Sequence, residues 1–262
     1  MQADQDGTMV LGVHGALELA PWLRHAYADG SLEEDVFSLV VKRATAYGLS
    51  SFDGQSPPGV QWDHHDAGGD WSPDATVREQ GWMQIGLPGM GGAQRLPVAA
   101  LVRVLTDALR RVGRLRFTGL HAVVPMHLAT DIRADLAAGA GWFALADPGA
   151  SVMLTVSVSA DERLSLPTRA SQLADAASLR AHGCLTVEPS PACRNPPGLA
   201  PVLTGRAFAP AEWHQEQTFH CQAHEWSADM AAWVLEIFID ALRETAPTAA
   251  PAVFTVSTPV ID

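Results

Sequence analysis

Lysine is almost missing from this chain. Lys42 stands alone against sixteen arginines among 262 residues. Schiff-base chemistry needs a desolvated lysine amine, and Lys42 lies beside Arg43 in a stretch that reads as helix, so that class is set aside. The skew toward arginine suggests a GC-rich bacterial source. Cysteine is nearly as scarce: Cys184, Cys193 and Cys221 make an odd number with no CxxC pair. That excludes a disulfide framework and a thiolate zinc site and fits a reducing compartment. No apolar run reaches the ~18 residues of a membrane span. The first six residues are polar and acidic, unlike a secretory leader. The expectation is a cytoplasmic protein with no membrane partner.

Positive charge is also short, with a net charge of -12. An acidic surface repels phosphate backbones, so nucleic acid is not expected as a partner. Arg103, Arg110, Arg111, Arg114 and Arg116 form the densest basic stretch. It reads as a solvated helix face whose cations suit the helix C-terminus. GxGxxG, Walker and GxSxG patterns are absent. The run from Gly86 to Gly92 is Gly-rich but lacks the Lys-Ser/Thr pair of a phosphate loop.

What is present is an ordinary globular composition, 47% hydrophobic and 18% charged, arranged in two similar halves. Ala99 to Val112 is amphipathic, with Leu101, Leu105, Leu109 and Val112 on one face. Ser227 to Glu244 is a second such helix, with Ser227 as N-cap. Asp107-Ala108-Leu109-Arg110 recurs as Asp240-Ala241-Leu242-Arg243, 133 residues later. Strand patterns flank both helices, at Trp82–Ile85 and Arg116–Thr118, and again at Phe219–Glu225 and Val253–Thr255. Upstream, Thr8–His14 and Ser151–Ser159 read as strands. Helices are expected from a Ser31-x-x-Glu34 capping box to Gly48 and from Ser171 to His182. Short strands follow at Val60–Asp63 and Cys184–Glu188. Further helices are expected at Leu17–Ala28 and Thr130–Ala138.

Each half therefore reads strand-helix-strand-strand-helix-strand. The expected class is α+β: a tandem duplication of a ferredoxin-like βαββαβ unit. Its halves span 1–128 and 151–262, with a linker bearing a short helix at 129–150. Such a sheet has helices on one face only. The expected remedy is a pseudo-dimer, or an α+β barrel with helices outside, in which the bare faces meet around a cavity.

Strand parity then selects site candidates. Phe219, Cys221 and Ala223 should face the helices, which places His220, Gln222 and His224 on the opposite face. Trp82, Gln84, Thr155 and Ser157 share that face by the same rule. Two long connections, Leu49–Glu79 and Pro189–Pro210, should fold over the sheet ends, as long loops in compact units often serve function. They would bring Asp63, His64 and His65 together with His214 and Glu216 in a mouth walled by Trp62, Trp71 and Trp213. His14, His25, His121 and His127 are read as structural.

The function expected from these residues is a small-molecule enzyme of bacterial specialised metabolism that performs cyclisation, isomerisation or elimination. His220 and His224 would transfer protons, with Asp63 or Glu216 orienting them. Gln84, Gln222, Trp82, His64, His65, Trp62, Trp213, Thr155 and Ser157 would hold substrate. No cofactor is required. The alternatives are a haem- or divalent-metal-dependent enzyme with a histidine ligand, and a non-catalytic subunit of a hetero-oligomer that uses the proline-rich connection. Homo-oligomerisation is equally open.

Overall fold

The computed structural model describes residues 7–31, 34–50, 62–69, 71, 76–87, 95–191, 198–199 and 215–259. The fold is mixed α and β, built on one open antiparallel sheet of eight strands. In chain order these are β1 (Gly7–Leu19), β2 (Asp63–Gly68), β3 (Arg78–Leu87), β4 (Gly113–Val124), β5 (Val152–Ala160), β6 (Leu185–Ser190), β7 (Gln215–Ala223) and β8 (Ala252–Ser257). Their spatial order is β2-β3-β1-β4-β8-β5-β7-β6. Six α-helices are described: α1 (Pro21–Ala28), α2 (Val36–Ala46), α3 (Val98–Val112), α4 (Arg133–Phe143), α5 (Ala170–Arg180) and α6 (Ala228–Thr245).

Alternation along the strands sorts the two faces. Met9, Leu11 and Val13 of β1, Met83, Ile85 and Leu87 of β3, and Leu120, Ala122 and Val124 of β4 are all buried in one core. Leu154, Val156 and Val158 of β5 and Phe219, Cys221 and Ala223 of β7 continue it. Helices supply the other side: Leu101, Leu105 and Leu109 of α3, with Val234, Phe238 and Leu242 of α6. Phe219 meets Phe238 with ring centroids 5.1 Å apart, which fixes the β7 parity expected from sequence.

The two four-strand groups join along β4 and β8. Their ladder runs from Gly119↔Ser257 to Val124↔Ala252. This corrects the expectation of a barrel or of sheets stacked face to face. An unpaired edge strand exposes a row of N–H and C=O groups, and pairing β4 with β8 satisfies both rows at once. The bare faces of the two groups consequently lie side by side rather than opposed.

Three local expectations are also revised. Residues 15–19 continue β1, where a helix was expected from Leu17, because Gly15 to Leu19 pair with Phe117 to Gly113 of β4. The ladder outweighs local helical preference, and the helix waits until Pro21, a favoured first residue. Helix α2 is capped by Asp35, whose carboxylate accepts from the Ser38 backbone N–H at 2.7 Å. Ser31 instead binds Asp29. Finally, Asp63 to Gly68 form β2 against β3, so the paired histidines sit on an edge strand.

The helix pairs of the two groups carry matching ion pairs. Arg43 of α2 reaches Asp107 of α3 at 2.6 Å, and Arg180 of α5 reaches Asp240 of α6 at 2.6 Å. The second pair is fully buried, with side chains 2% and 0% exposed. Removing one partner of a buried pair strands a desolvated charge. Asp240→Ala should therefore cost about 3 kcal/mol or more in urea unfolding, whereas Asp107→Ala at the half-exposed pair should cost about 1 kcal/mol or less.

Candidate functional site

The face of the sheet away from the core is unusually polar and, at its centre, buried. Cross-strand partners share a face, so ladder registers map it directly. Trp82, Gly12, His121, Thr255, Ser157 and Thr218 follow one another across β3, β1, β4, β8, β5 and β7. One row along lie Glu79, His14, Gly119, Ser257, Thr155 and His220. His14, His121, Thr218 and Ser257 are wholly inaccessible, and Glu79 is 3% exposed.

Three of these residues form a chain. His14 Nε2 lies 3.0 Å from His121 Nδ1, and His121 Nε2 lies 3.4 Å from Glu79 Oε1. The central imidazole thus presents one ring nitrogen to each neighbour. The strands show why the rings meet. Gly12-Val13-His14 and Gly119-Leu120-His121 run antiparallel, so Gly12 faces His121 and Gly119 faces His14. A Cβ on Gly12 would fall 2.2 Å from His121 Cε1 and 2.5 Å from Glu79 Oε1. Only glycine leaves room there. Irregularities in the β1 ladders beside His14 bring Glu79, rather than Gln80, opposite it. Above Gly119, the Leu199 side chain occupies the space a Cβ would take, and the Gly198 carbonyl accepts from Thr118 Oγ1 at 2.6 Å.

Burial sets the charge of the pair. Desolvation pushes His14 down to about 4 and His121 well below its usual value, with the neighbouring His14 adding to the second shift. Both rings are neutral at pH 7, so each has one nitrogen that donates and one that accepts. Thr255 Oγ1 and Ser257 Oγ are buried and lack a hydrogen-bond partner among the described residues, and the 3.4 Å approach of His121 Nε2 to Glu79 Oε1 is a charge contact rather than a hydrogen bond. Ser157 Oγ and Thr218 Oγ1 satisfy each other at 3.1 Å. Beside the chain, an open cavity of about 320 Å³ is lined by Val10, Val123 and His127. Val10 and Val123 are the next same-face pair after Gly12 and His121.

The residues singled out from sequence are spread across the sheet. Thr155, Ser157, His220 and Gln222 gather on β5 and β7. His220 Nε2 contacts Ser190 Oγ at 2.9 Å, and Gln222 Nε2 donates to Ser151 Oγ at 2.7 Å. His220 and Gln222 are exposed. His224 lies just beyond β7, also exposed, with Nδ1 2.8 Å from the Ala150 carbonyl. Trp82 and Gln84 are half-buried on β3. Asp63, His64 and His65 lie on β2, and His64 Nε2 meets Ser50 Oγ at 2.6 Å. Burial, partly offset by Asp63, lowers the His64 imidazole.

Six strand spacings separate β2 from β7, or roughly 29 Å at ~4.8 Å each. Asp63, His64 and His65 therefore do not converge with Glu216, and Gln84 does not pair with Gln222, five spacings away. Trp62 and Trp71 are core residues, 0% and 6% exposed, not walls of a mouth. Trp213 and His214 lie outside the described residues, as does most of the proline-rich connection. Cys221 is buried on the helix side, and desolvation keeps its thiol protonated.

Sequence reasoning passed over His14, His121 and Glu79. The available signal was the repeated Gly-x-His in two strands, whose importance depends on their being adjacent. No family model, curated protein or solved structure matches this chain.

Two outcomes test this description. Gly12→Ala should destabilise the protein by about 1–3 kcal/mol through overpacking, measured by chemical unfolding. The unfolded chain protonates histidine near pH 6.5, while folded His14 resists until about 4. Between those values the unfolded state binds more protons, so stability falls as pH drops through that window. His14→Gln should flatten this part of the melting-temperature profile.

Proposed function

We propose that this protein is a small-molecule enzyme whose proton-transfer centre is the Glu79–His121–His14 chain. The carrying observation is the alignment itself: a carboxylate, an imidazole and a second imidazole in sequence, all desolvated, with both rings neutral at working pH. A neutral imidazole can take a proton at one nitrogen as it releases one from the other. Glu79 stabilises the imidazolium that forms on His121, and low polarity strengthens that attraction. A substrate in the cavity lined by Val10 and Val123 would lie one residue pair from the chain. Cyclisation, isomerisation and elimination all use such transfers.

In this reading the two groups of strands are a tandem duplication of one ferredoxin-like unit. The mirrored strand order and the matched Arg–Asp pairs support it. The duplicated parts have diverged in role, since the histidine chain belongs to the first group. His220, Gln222 and His224 form an exposed polar patch on the second group, suited to holding substrate rather than to the central transfer, whereas Thr155 and Ser157 are buried. A cytoplasmic setting fits the free thiols of Cys184 and Cys221.

A second reading has one observation in its favour. His14, Glu79 and His121 offer three donor atoms within 4.8 Å of one another. The 3.0 Å nitrogen separation suits two adjacent ligands at ~2.1 Å from a divalent ion.

Proton transfer can be read without knowing the product. The protein would be incubated in D2O with pools of carbonyl-containing metabolites, and loss of C–H signals followed by NMR. Catalysed exchange should fall about 100-fold or more in His121→Gln and survive metal chelation. Exchange abolished by chelation and restored by a divalent ion would favour the metal reading. If exchange survives His121→Gln but is lost in the His220→Ala, His224→Ala double variant, the chemistry belongs to the outer patch.

A further inference from the structure

A second site lies on the other side of the sheet, among the helices. Helices α3, α4 and α6 leave a cavity of about 400 Å³, lined in part by Arg95, Arg103, Trp142, Phe143, Trp233 and Glu236. That volume suits a small organic molecule.

The walls are flat and apolar. Phe143 lies against Trp233 with ring centroids 4.8 Å apart, and the Trp233 indole is fixed by donating to the Leu136 carbonyl at 3.2 Å. Trp142 stands 67% exposed. A large indole left in water beside a concave surface costs hydrophobic free energy that a bound ring would recover.

Two arginines and two carboxylates line it: Arg95 with Glu236, and Arg103 with Asp229. Glu236 is buried and already held by Arg95, which gives it Nε–H at 3.0 Å and a second bond from Nη2. Those contacts use two of the five N–H groups of a guanidinium. The remaining Nη1 of Arg95 comes no nearer to Asp135 than 4.0 Å. Arg103 reaches Asp229 only at 3.8 Å, beyond hydrogen-bonding distance, with its side chain 63% exposed. Two guanidinium groups thus bring N–H groups not committed to a protein hydrogen bond to one aromatic cavity, where Glu236 is already paired and Asp229 is exposed at its rim. A planar carboxylate is the partner that guanidinium geometry favours.

We propose that this cavity binds a small aromatic carboxylate, at a site separated from the histidine chain by the core and the sheet. The anion would bridge Arg103 and the free edge of Arg95, and its ring would lie against Trp142 and Trp233.

Calorimetric titration of the full chain with 2-naphthoate tests the proposal, with 2-naphthamide as the neutral control. Saturable 1:1 binding is expected, weakened about tenfold or more in Arg103→Gln, in Trp142→Ala and with the amide. Both substitutions are at exposed positions, and unchanged melting curves would show that the variants fold. The proposal is overturned if naphthoate gives no saturable heat, if folded Arg103→Gln and Trp142→Ala bind it as well as the parent, or if the amide binds equally.

Discussion

The ladder between β4 and β8 is the constraint on which this architecture rests. Each strand would otherwise end its own four-stranded group with an unsatisfied row of backbone donors and acceptors. Pairing the rows from Gly119↔Ser257 to Val124↔Ala252 removes both edges and makes a single sheet. It also commits the molecule to two continuous faces. The apolar residues of all the inner strands then share one helix-covered core, and the polar residues of both groups share the opposite face.

That commitment explains where chemistry can occur. With the bare faces side by side, the two groups do not clasp a ligand between opposed faces, and residues on β2 and β7 remain far apart. Polar groups instead concentrate where strands adjoin. At the centre, β1 lies between β3 and β4, so one side chain from each strand can meet over Gly12. Glu79, His121 and His14 do so, and all three are buried. Buried polar groups need partners, and the His14–His121 contact supplies one to each ring.

The helix side obeys a different balance. There the buried Arg180–Asp240 pair between α5 and α6 and the partly exposed Arg95–Glu236 pair neutralise charge beside an apolar layer. Arg180–Asp240 fixes two helices against each other, whereas Arg95 retains a free edge toward a cavity. The same chemistry thus serves packing in one place and leaves a surface for recognition in another. What distinguishes them is how many guanidinium donors the protein itself occupies.

Much of the fold was legible in the sequence, because hydrophobic periodicity depends on local spacing. The α3 and α6 stripes, the strand parity of β5 and β7 and the order of elements all follow from residues near one another in the chain. The same local view failed where a distant partner decided the outcome. Gly15 to Leu19 became strand because β4 was available, and His64 and His65 joined an edge strand because β3 was. The histidine chain shows the limit most clearly. Gly12-x-His14 and Gly119-x-His121 can each be read from sequence. Their reciprocal fit, with Glu79 beside them, arises only when β1 lies antiparallel to β4 and β3 flanks it. Local chemistry determined which side chains share a face, and strand pairing across more than a hundred residues decided which of them touch.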